Sequence, residues 1–434
     1  MPDSPVSVAR PMSTAPAEPA EAPPRRWLAG YRDLLAVPGF GRLAVVGLAS
    51  KLPAGMVALS LLLLVGHDHA YGTAGLAVSG AAAGQALTGP LRGRLVDRCS
   101  PRRILLGFLA AHLVAVTALV TAVRGHASVA AVLTLAVALG VTMPPAAVMM
   151  RSVWHGATGP RTAGTAMALD SAIMGTALIT GPLLASWLSL SVSPEAPFVA
   201  VALLTTVAVA LLVGVVGPSG AVPRQAGAGH WLGPLTSAPL RRLLAVDALF
   251  VASVTGIDVL LPAYAREYDA VAYTGLCLGA LSIGSVLGGL ALGALPSGRF
   301  GGPGIGALLG VFAAGAGGLA VACRISPTAV LLACPFAGLA IGSAFGALRA
   351  LGGDLAPQGR VTETMSWLSS IDLAGGAAGA ALFAGLAGAQ GSRSALLLVP
   401  AVLVPAALLG RKVRPDAARS GATPRPPRAP RRAR

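Results

Sequence analysis

The chain of 434 residues is 55% hydrophobic and only 11% charged, with a mean hydropathy of +0.75. A soluble globular domain carries about 25% charged residues, so a soluble enzyme or soluble binding module is excluded. The net charge of +16 points away from nucleic acid once its placement is read, because 30 of the 32 basic residues are Arg in loops and tails between apolar runs. There they orient a membrane protein.

No Asp, Glu, Lys or Arg occurs in windows 104–123, 125–150, 196–223, 270–298, 300–323, 325–348 and 394–410. Such runs approach or exceed the roughly 18 residues that mark a transmembrane helix. Residues 1–26, rich in Pro, Ala and Ser, cannot form a core and lack the plan of a signal peptide. The expected spans are 41–65, 73–92, 104–123, 127–150, 162–187 and 197–217, then 242–264, 271–295, 303–323, 328–350, 361–387 and 393–410. This gives an all-α protein of twelve transmembrane helices: a segment 1–39, a six-helix bundle 40–217, a central loop 218–240, a second bundle 241–410 and a basic tail 411–434.

With the N-terminus inside, 27 basic residues fall on the cytoplasmic side and four outside: Arg124, Arg266, Arg324 and Arg393. That bias places both termini in the cytoplasm. Tyr71, Trp154, Trp187, Tyr264, Tyr268 and Tyr273 are expected at the membrane interfaces. Cys99, Cys277, Cys323 and Cys334 have no metal-ligand spacing and read as inert core thiols.

The two halves repeat. Gly84-Gln-Ala-Leu-Thr-Gly89-Pro-Leu-Arg-Gly93-Arg-Leu95 aligns with Gly284-Ser-Val-Leu-Gly-Gly289-Leu-Ala-Leu-Gly293-Ala-Leu295, with five identities at an offset of 200. Arg151 and Arg349, each ending its fourth span, stand 198 apart, and Thr165-Ala-Met-Ala-Leu169 meets Thr364-Met-Ser-Trp-Leu368 at 199. Three ordered matches indicate duplicated six-helix halves, and the repeated glycines allow close backbone approach.

Between spans 2 and 3 stands Gly93-Arg-Leu-Val-Asp97-Arg98-Cys-Ser100-Pro-Arg102-Arg103. This resembles the signature loop of the major facilitator superfamily, with Ser100 in place of the turn glycine. Phe40-Gly-Arg-Leu43 leading to Leu52-Pro53-Ala-Gly55-Met56, Pro144-Pro145 running to Arg151-Ser-Val-Trp154, and Ala168-Leu-Asp170-Ser171 resemble an actinobacterial group of that superfamily. The resemblance spans about residues 38–410 and implies two pseudo-symmetric bundles around a midplane site. It also implies a cytoplasmic latch at Gly93, Asp97, Arg98, Arg102 and Arg103. Asp97 would cap a neighbouring helix or pair with arginine; Ser297 at the equivalent point makes the latch one-sided. Gly181-Pro182 partly matches the superfamily's antiporter motif, with Ala185-Ser186 in place of its glycine pair, and favours export.

A charge at a helix centre costs about 2.5–3.5 kcal/mol on insertion scales, so it signals a wet path or a partner. Lys51, Asp170, Asp258 and Asp372 are therefore the candidates for proton coupling and the central cavity. A Lys51–Asp258 pair across the two halves is expected, Asp170 can meet Arg151, and Asp372 has no evident basic partner. Arg151 and Arg349 are candidate gating charges at helix ends. Asp247 reads as reaching the interface, and His112 as a satisfied neutral histidine. Pro53 and Pro262, with Gly55 and Gly256, are expected to interrupt spans 1 and 7 beside a substrate site.

No nucleophile elbow, zincin motif or phosphate-binding loop occurs in the sequence, so neither an enzyme nor an ATP-driven pump is expected, and no cofactor or metal is implied. The expected function is proton-coupled export of a small, moderately apolar organic molecule, such as a drug or secondary metabolite, by a monomer in the bacterial inner membrane. The partners are the lipid bilayer, the small-molecule substrate and protons, with no nucleic acid. Uptake of a small metabolite, or a nontransporting sensor on the same fold, is the alternative.

Overall fold

A computed structural model describes residues 29–68, 71–158, 162–216, 233–270, 273–294 and 303–413. The tails at 1–26 and beyond 413, residues 218–232 of the central loop, and Ser297 lie outside the described residues. Fourteen α-helices and a 3-10 turn at Gly233–Thr236 make up the regular structure, with no strand among the described residues. A short α1 (Ala29–Leu35) precedes α2 (Phe40–Asp68), α3 (Tyr71–Arg98), α4 (Pro101–Arg124), α5 (Val129–Thr142), α6 (Ala146–Ala157), α7 (Ala163–Ser191) and α8 (Ala196–Val216). The second half holds α9 (Ala238–Glu267), α10 (Tyr273–Gly293), α11 (Pro303–Ala322), α12 (Pro327–Leu355), α13 (Val361–Gln390) and α14 (Ser392–Gly410).

Counting α5 and α6 as one crossing, eleven segments are long and apolar enough to span a membrane. The twelfth is α3, whose 28 residues include Arg92, Arg94, Asp97 and Arg98. Leu87, Val114, Leu183, Leu190 and Phe336 are exposed on the outer faces, as lipid contact allows. One apolar core fills the second half, and three smaller ones fill the first.

Where the chain breaks differs from expectation. Pro53 and Pro262 lie inside unbroken helices, so spans 1 and 7 are not interrupted. In an apolar surround, continuing the helix exposes less unpaired backbone than ending it. The break falls instead in span 4, at Met143-Pro144-Pro145, where two consecutive prolines withhold two N–H donors. Arg92, buried on α3, repairs the gap: its guanidinium donates to the Met143 carbonyl and, at 2.7 Å, to the Gln85 carbonyl.

The repeated glycines fall into two uses. Gly84 faces α5, where an added Cβ would lie 2.6 Å from the Val137 carbonyl. Its counterpart Gly284 abuts the Pro335 carbonyl on α12 in the same way. These contacts lie inside each half and hold helix backbones together where no side chain fits. Gly93 and Gly293 face the opposite half.

Trp154 is fully buried against Phe40, and Tyr264 is also buried, so neither sits at a lipid interface. Tyr71 has no described side chain, whereas Trp187 and Tyr268 are exposed and Tyr273 is partly buried. Cys99 is exposed, correcting its reading as a core thiol; the other three cysteines are buried and free.

Gly284→Leu should destabilise the fold by at least ~1–3 kcal/mol, the usual cost of overpacking, because backbone blocks the new side chain. Gly310→Leu, with no atom within 4 Å of an added Cβ, is the control and should unfold at the parental temperature. Thermal unfolding in detergent reads both.

Candidate functional site

Each half buries a charge cluster on its first, fourth and fifth membrane helices. In the first half, Lys51 of α2 donates to Asp170 of α7 at 2.6 Å, and Arg151 of α6 reaches the other carboxylate oxygen at 3.3 Å. Lys51 is 0% exposed and Asp170 1%. The expected Lys51–Asp258 pair is therefore absent, because Lys51 is consumed by its own half and does not reach the cavity. The expected Arg151–Asp170 contact is present. Arg151 also donates to Ser369 of α13, across to the other half, at 2.9 Å.

In the second half the signs are inverted. Arg349 of α12 is gripped by two carboxylates, Asp247 of α9 at 3.0 Å and Asp372 of α13 at 2.6 Å to each oxygen. Asp372 thus has the basic partner that the sequence did not reveal. Asp247, expected to reach the interface, is 0% exposed, and its second oxygen has no hydrogen-bond partner. With every group ionised the first cluster carries one net positive charge and the second one net negative charge. Arg151 and Arg349 lie inside α6 and α12 rather than ending them.

Between the halves lies a cavity of about 300 Å³. Arg151, Arg349 and Asp372 line it, while Met174, Leu178, Val254, Leu281, Ile341 and Phe345 give it apolar walls. Ser171, Ser282 and Ser285 add hydroxyls. Asp258 also lines the cavity and is exposed to it, with no ion pair or hydrogen bond among the described residues.

One end of the cavity is closed where the halves touch along two seams. In the first, Gly89 and Gly93 bring α3 against Ser370, Ser366 and Thr362 of α13. Asp97 accepts from the Glu363 amide at 2.7 Å, capping the start of α13, whose own N-cap Arg360 supplies no side-chain cap. Arg94 adds two hydrogen bonds to the Glu363 carboxylate, at 2.9 and 2.6 Å. In the second seam, Thr165 of α7 donates to the Gly293 carbonyl at 2.7 Å, and Tyr31 of α1 to the Leu290 carbonyl at 2.8 Å. Burial pushes the Tyr31 phenol up to about 12, so it stays a donor. Side chains of the first half thus serve helix ends of the second at both seams.

The cap on α13 matches the expectation for Asp97, but Arg98, Arg102 and Arg103 point away, exposed and unpaired among the described residues. Asp97 and Arg98 lie in the last turn of α3 rather than in a loop. Arg94, Glu363, Thr165 and Tyr31 join the halves alongside Asp97. Glu363 was legible only as an acid in the first turn of a helix. Gly55 and Gly181 press α2 and α7 together within the first half, so the Pro53–Gly55 and Gly181–Pro182 segments form a packing contact. His112 is buried with Nδ1 3.5 Å from Thr142 Oγ1, but its Nε2 has no partner, so it is only half satisfied.

The model of the Major Facilitator Superfamily matches residues 43–363. The human organic anion transporter MFSD10 (TETRAN) superposes with a TM-score of 0.67 at 17% identity, covering 90% of this chain and 100% of that one. A bacterial homologue of the iron transporter ferroportin, in an outward-facing state with soaked iron, gives 0.63 at 18%, with 86% and 97% covered. The E. coli fucose:proton symporter FucP gives 0.69 at 13%, with 86% and 98% covered. No curated protein matches the chain.

Removing Asp170 leaves two buried cations facing each other, whereas removing Lys51 leaves a neutral Arg151–Asp170 pair. Asp170→Asn should therefore cost about 3–5 kcal/mol, and Lys51→Met clearly less. Denaturation of the two variants side by side checks the order.

Proposed function

The chain belongs to the Major Facilitator Superfamily, and on that premise we propose that it exports a small, moderately apolar organic molecule by proton-coupled alternating access. The observation that carries this reading is the cavity between the halves, closed at the Asp97 end by contacts that are polar and of short reach. The positive-inside bias assigns that end, and both termini, to the cytoplasm. The closed seams then correspond to an outward-facing state, and the likeness to a ferroportin homologue in that state supports the assignment. The reading places the protein as a monomer in the bacterial inner membrane.

Coupling falls to the Asp247–Arg349–Asp372 cluster. One guanidinium balances only one of its two carboxylates, so a single proton brings the buried group to neutrality. Asp372, 23% exposed and lining the cavity, gives that proton a route. Asp170 is a weaker candidate, since two cations already compensate it. Export rather than uptake is supported by the apolar cavity walls and by the Gly181–Pro182 segment.

Two experiments test the reading. In a host stripped of its own efflux pumps, the parent should raise tolerance to compounds in a panel of antibiotics and dyes. Asp372→Asn, at matched membrane levels, should lose the gain that depends on a pH gradient. Tolerance to nothing would overturn export, and equal tolerance in both would remove Asp372 from coupling. For the latch, Asp97→Asn should weaken the cap on α13 and open the cytoplasmic seam more often. A cysteine placed at Ser366 in a cysteine-free background should then react several-fold faster with a cytoplasmic maleimide; an unchanged rate would show that the cap does not hold the seam.

A further inference from the structure

Resting on the reading that this cavity is the transport site, we propose that the substrate is an organic cation whose charge is met by Asp258. Four charged side chains line the cavity: Arg151, Arg349, Asp258 and Asp372. Three of them are committed. Arg151 holds Asp170 and Ser369, and Arg349 is clamped between Asp247 and Asp372. Asp258 alone has no partner among the described residues, and it faces the cavity rather than a neighbouring helix.

Summed over both clusters and Asp258, with every group ionised, the site carries one net negative charge. Low-dielectric walls focus such a field and favour a ligand of opposite sign. Val254 stands one turn before Asp258 on α9, and Leu178, Leu281 and Phe345 supply apolar surface, so the complementary molecule has a cationic head and an apolar body. The cavity, about 300 Å³, lies near the lower limit of small-molecule pockets.

The other charge classes fit badly. An anion would meet Asp258 as a like charge and find both arginines already bonded. A neutral ligand would displace water from Asp258 and leave a carboxylate desolvated and unpaired as the cavity closes. A cation removes that penalty in the same event that fills the cavity. Asp258 is then the substrate's counter-ion, separate from the proton-carrying cluster around Arg349.

Two probes of one shape and opposite charge test this: tetraphenylphosphonium and tetraphenylborate, titrated into the full-length protein in nanodiscs, with empty nanodiscs as the blank. The parent should bind the phosphonium at least ~tenfold more tightly than the borate, a factor worth about 1.4 kcal/mol. Asp258→Asn should lose that preference, and Asp258→Glu should keep most of it. Equal binding of both probes, preference for the borate, no binding of either, or full phosphonium affinity in Asp258→Asn would each overturn the inference. Efflux of phosphonium from pump-deficient cells separates the two readings. Charge-selective binding without efflux upholds the cation site and defeats the export reading. Export of neutral compounds by a protein that binds no cation does the reverse.

Discussion

A guanidinium buried inside a membrane protein has to find acceptors, and much of this structure follows from where two arginines find carboxylates. Arg151 and Arg349 occupy matching places in the fourth helix of each half, and each draws acidic groups from the neighbouring membrane helices. The half that offers one carboxylate and a lysine closes into a group with excess positive charge. The half that offers two carboxylates closes into one with excess negative charge. Replacing one partner leaves an uncompensated buried charge, so the members of each cluster constrain one another. Three helices per half are thereby tied at one depth, and the cavity inherits two arginines whose hydrogen bonds are already spent.

The seams show a second division of labour. Glycine contacts inside each half bring backbone against backbone, leaving little freedom to move. Contacts between the halves also use glycine, at Gly93 and Gly293, but their polar part includes side chains capping helix ends, beside the Arg94–Glu363 ion pair and the Arg151–Ser369 hydrogen bond. A cap can be exchanged for water at modest cost, about 0.5–2 kcal/mol each, whereas buried close packing has no such substitute. The halves are therefore built as rigid units joined by replaceable contacts. That is the mechanical requirement for rocking about a midplane site.

Most of the fold was legible because hydropathy and charge-free length are strong, local signals. The twelve crossings, the duplication and the pairing of Asp97 with a helix start were all readable from residue type and spacing. What stayed hidden was partner choice. Lys51 has Asp170 and Asp258 within conceivable reach by depth alone, and only the packing of α2 on α7 decides between them. Asp372 looked unpaired because Arg349 was counted as a helix end, although α12 continues to Leu355. Asp247 looked peripheral for a related reason: its distance from the start of α9 gives its depth but not the direction in which it faces. Proline misled in the opposite sense. Pro53 and Pro262 sit within continuous helices, while consecutive Pro144 and Pro145 end one, since two missing donors in a row exceed what local adjustment absorbs.

The inverted clusters also bear on why proton and substrate need not share a residue. A carboxylate already bonded to arginine changes the local charge balance when it takes a proton, but, as at Asp372, its oxygens are already engaged by the guanidinium. Asp258 has the opposite properties, open to the cavity and bonded to nothing among the described residues. Lying eleven residues beyond Asp247 on α9, it is about three turns and roughly 16 Å along the same helix. A rigid helix carrying both groups links their environments without contact between them: any tilt of α9 that strains the Asp247–Arg349 bond also moves Asp258 within the cavity wall. On the proposed reading, coupling between the buried ion cluster and Asp258 would in this way be a property of one helix, with the first half supplying the opposing seam.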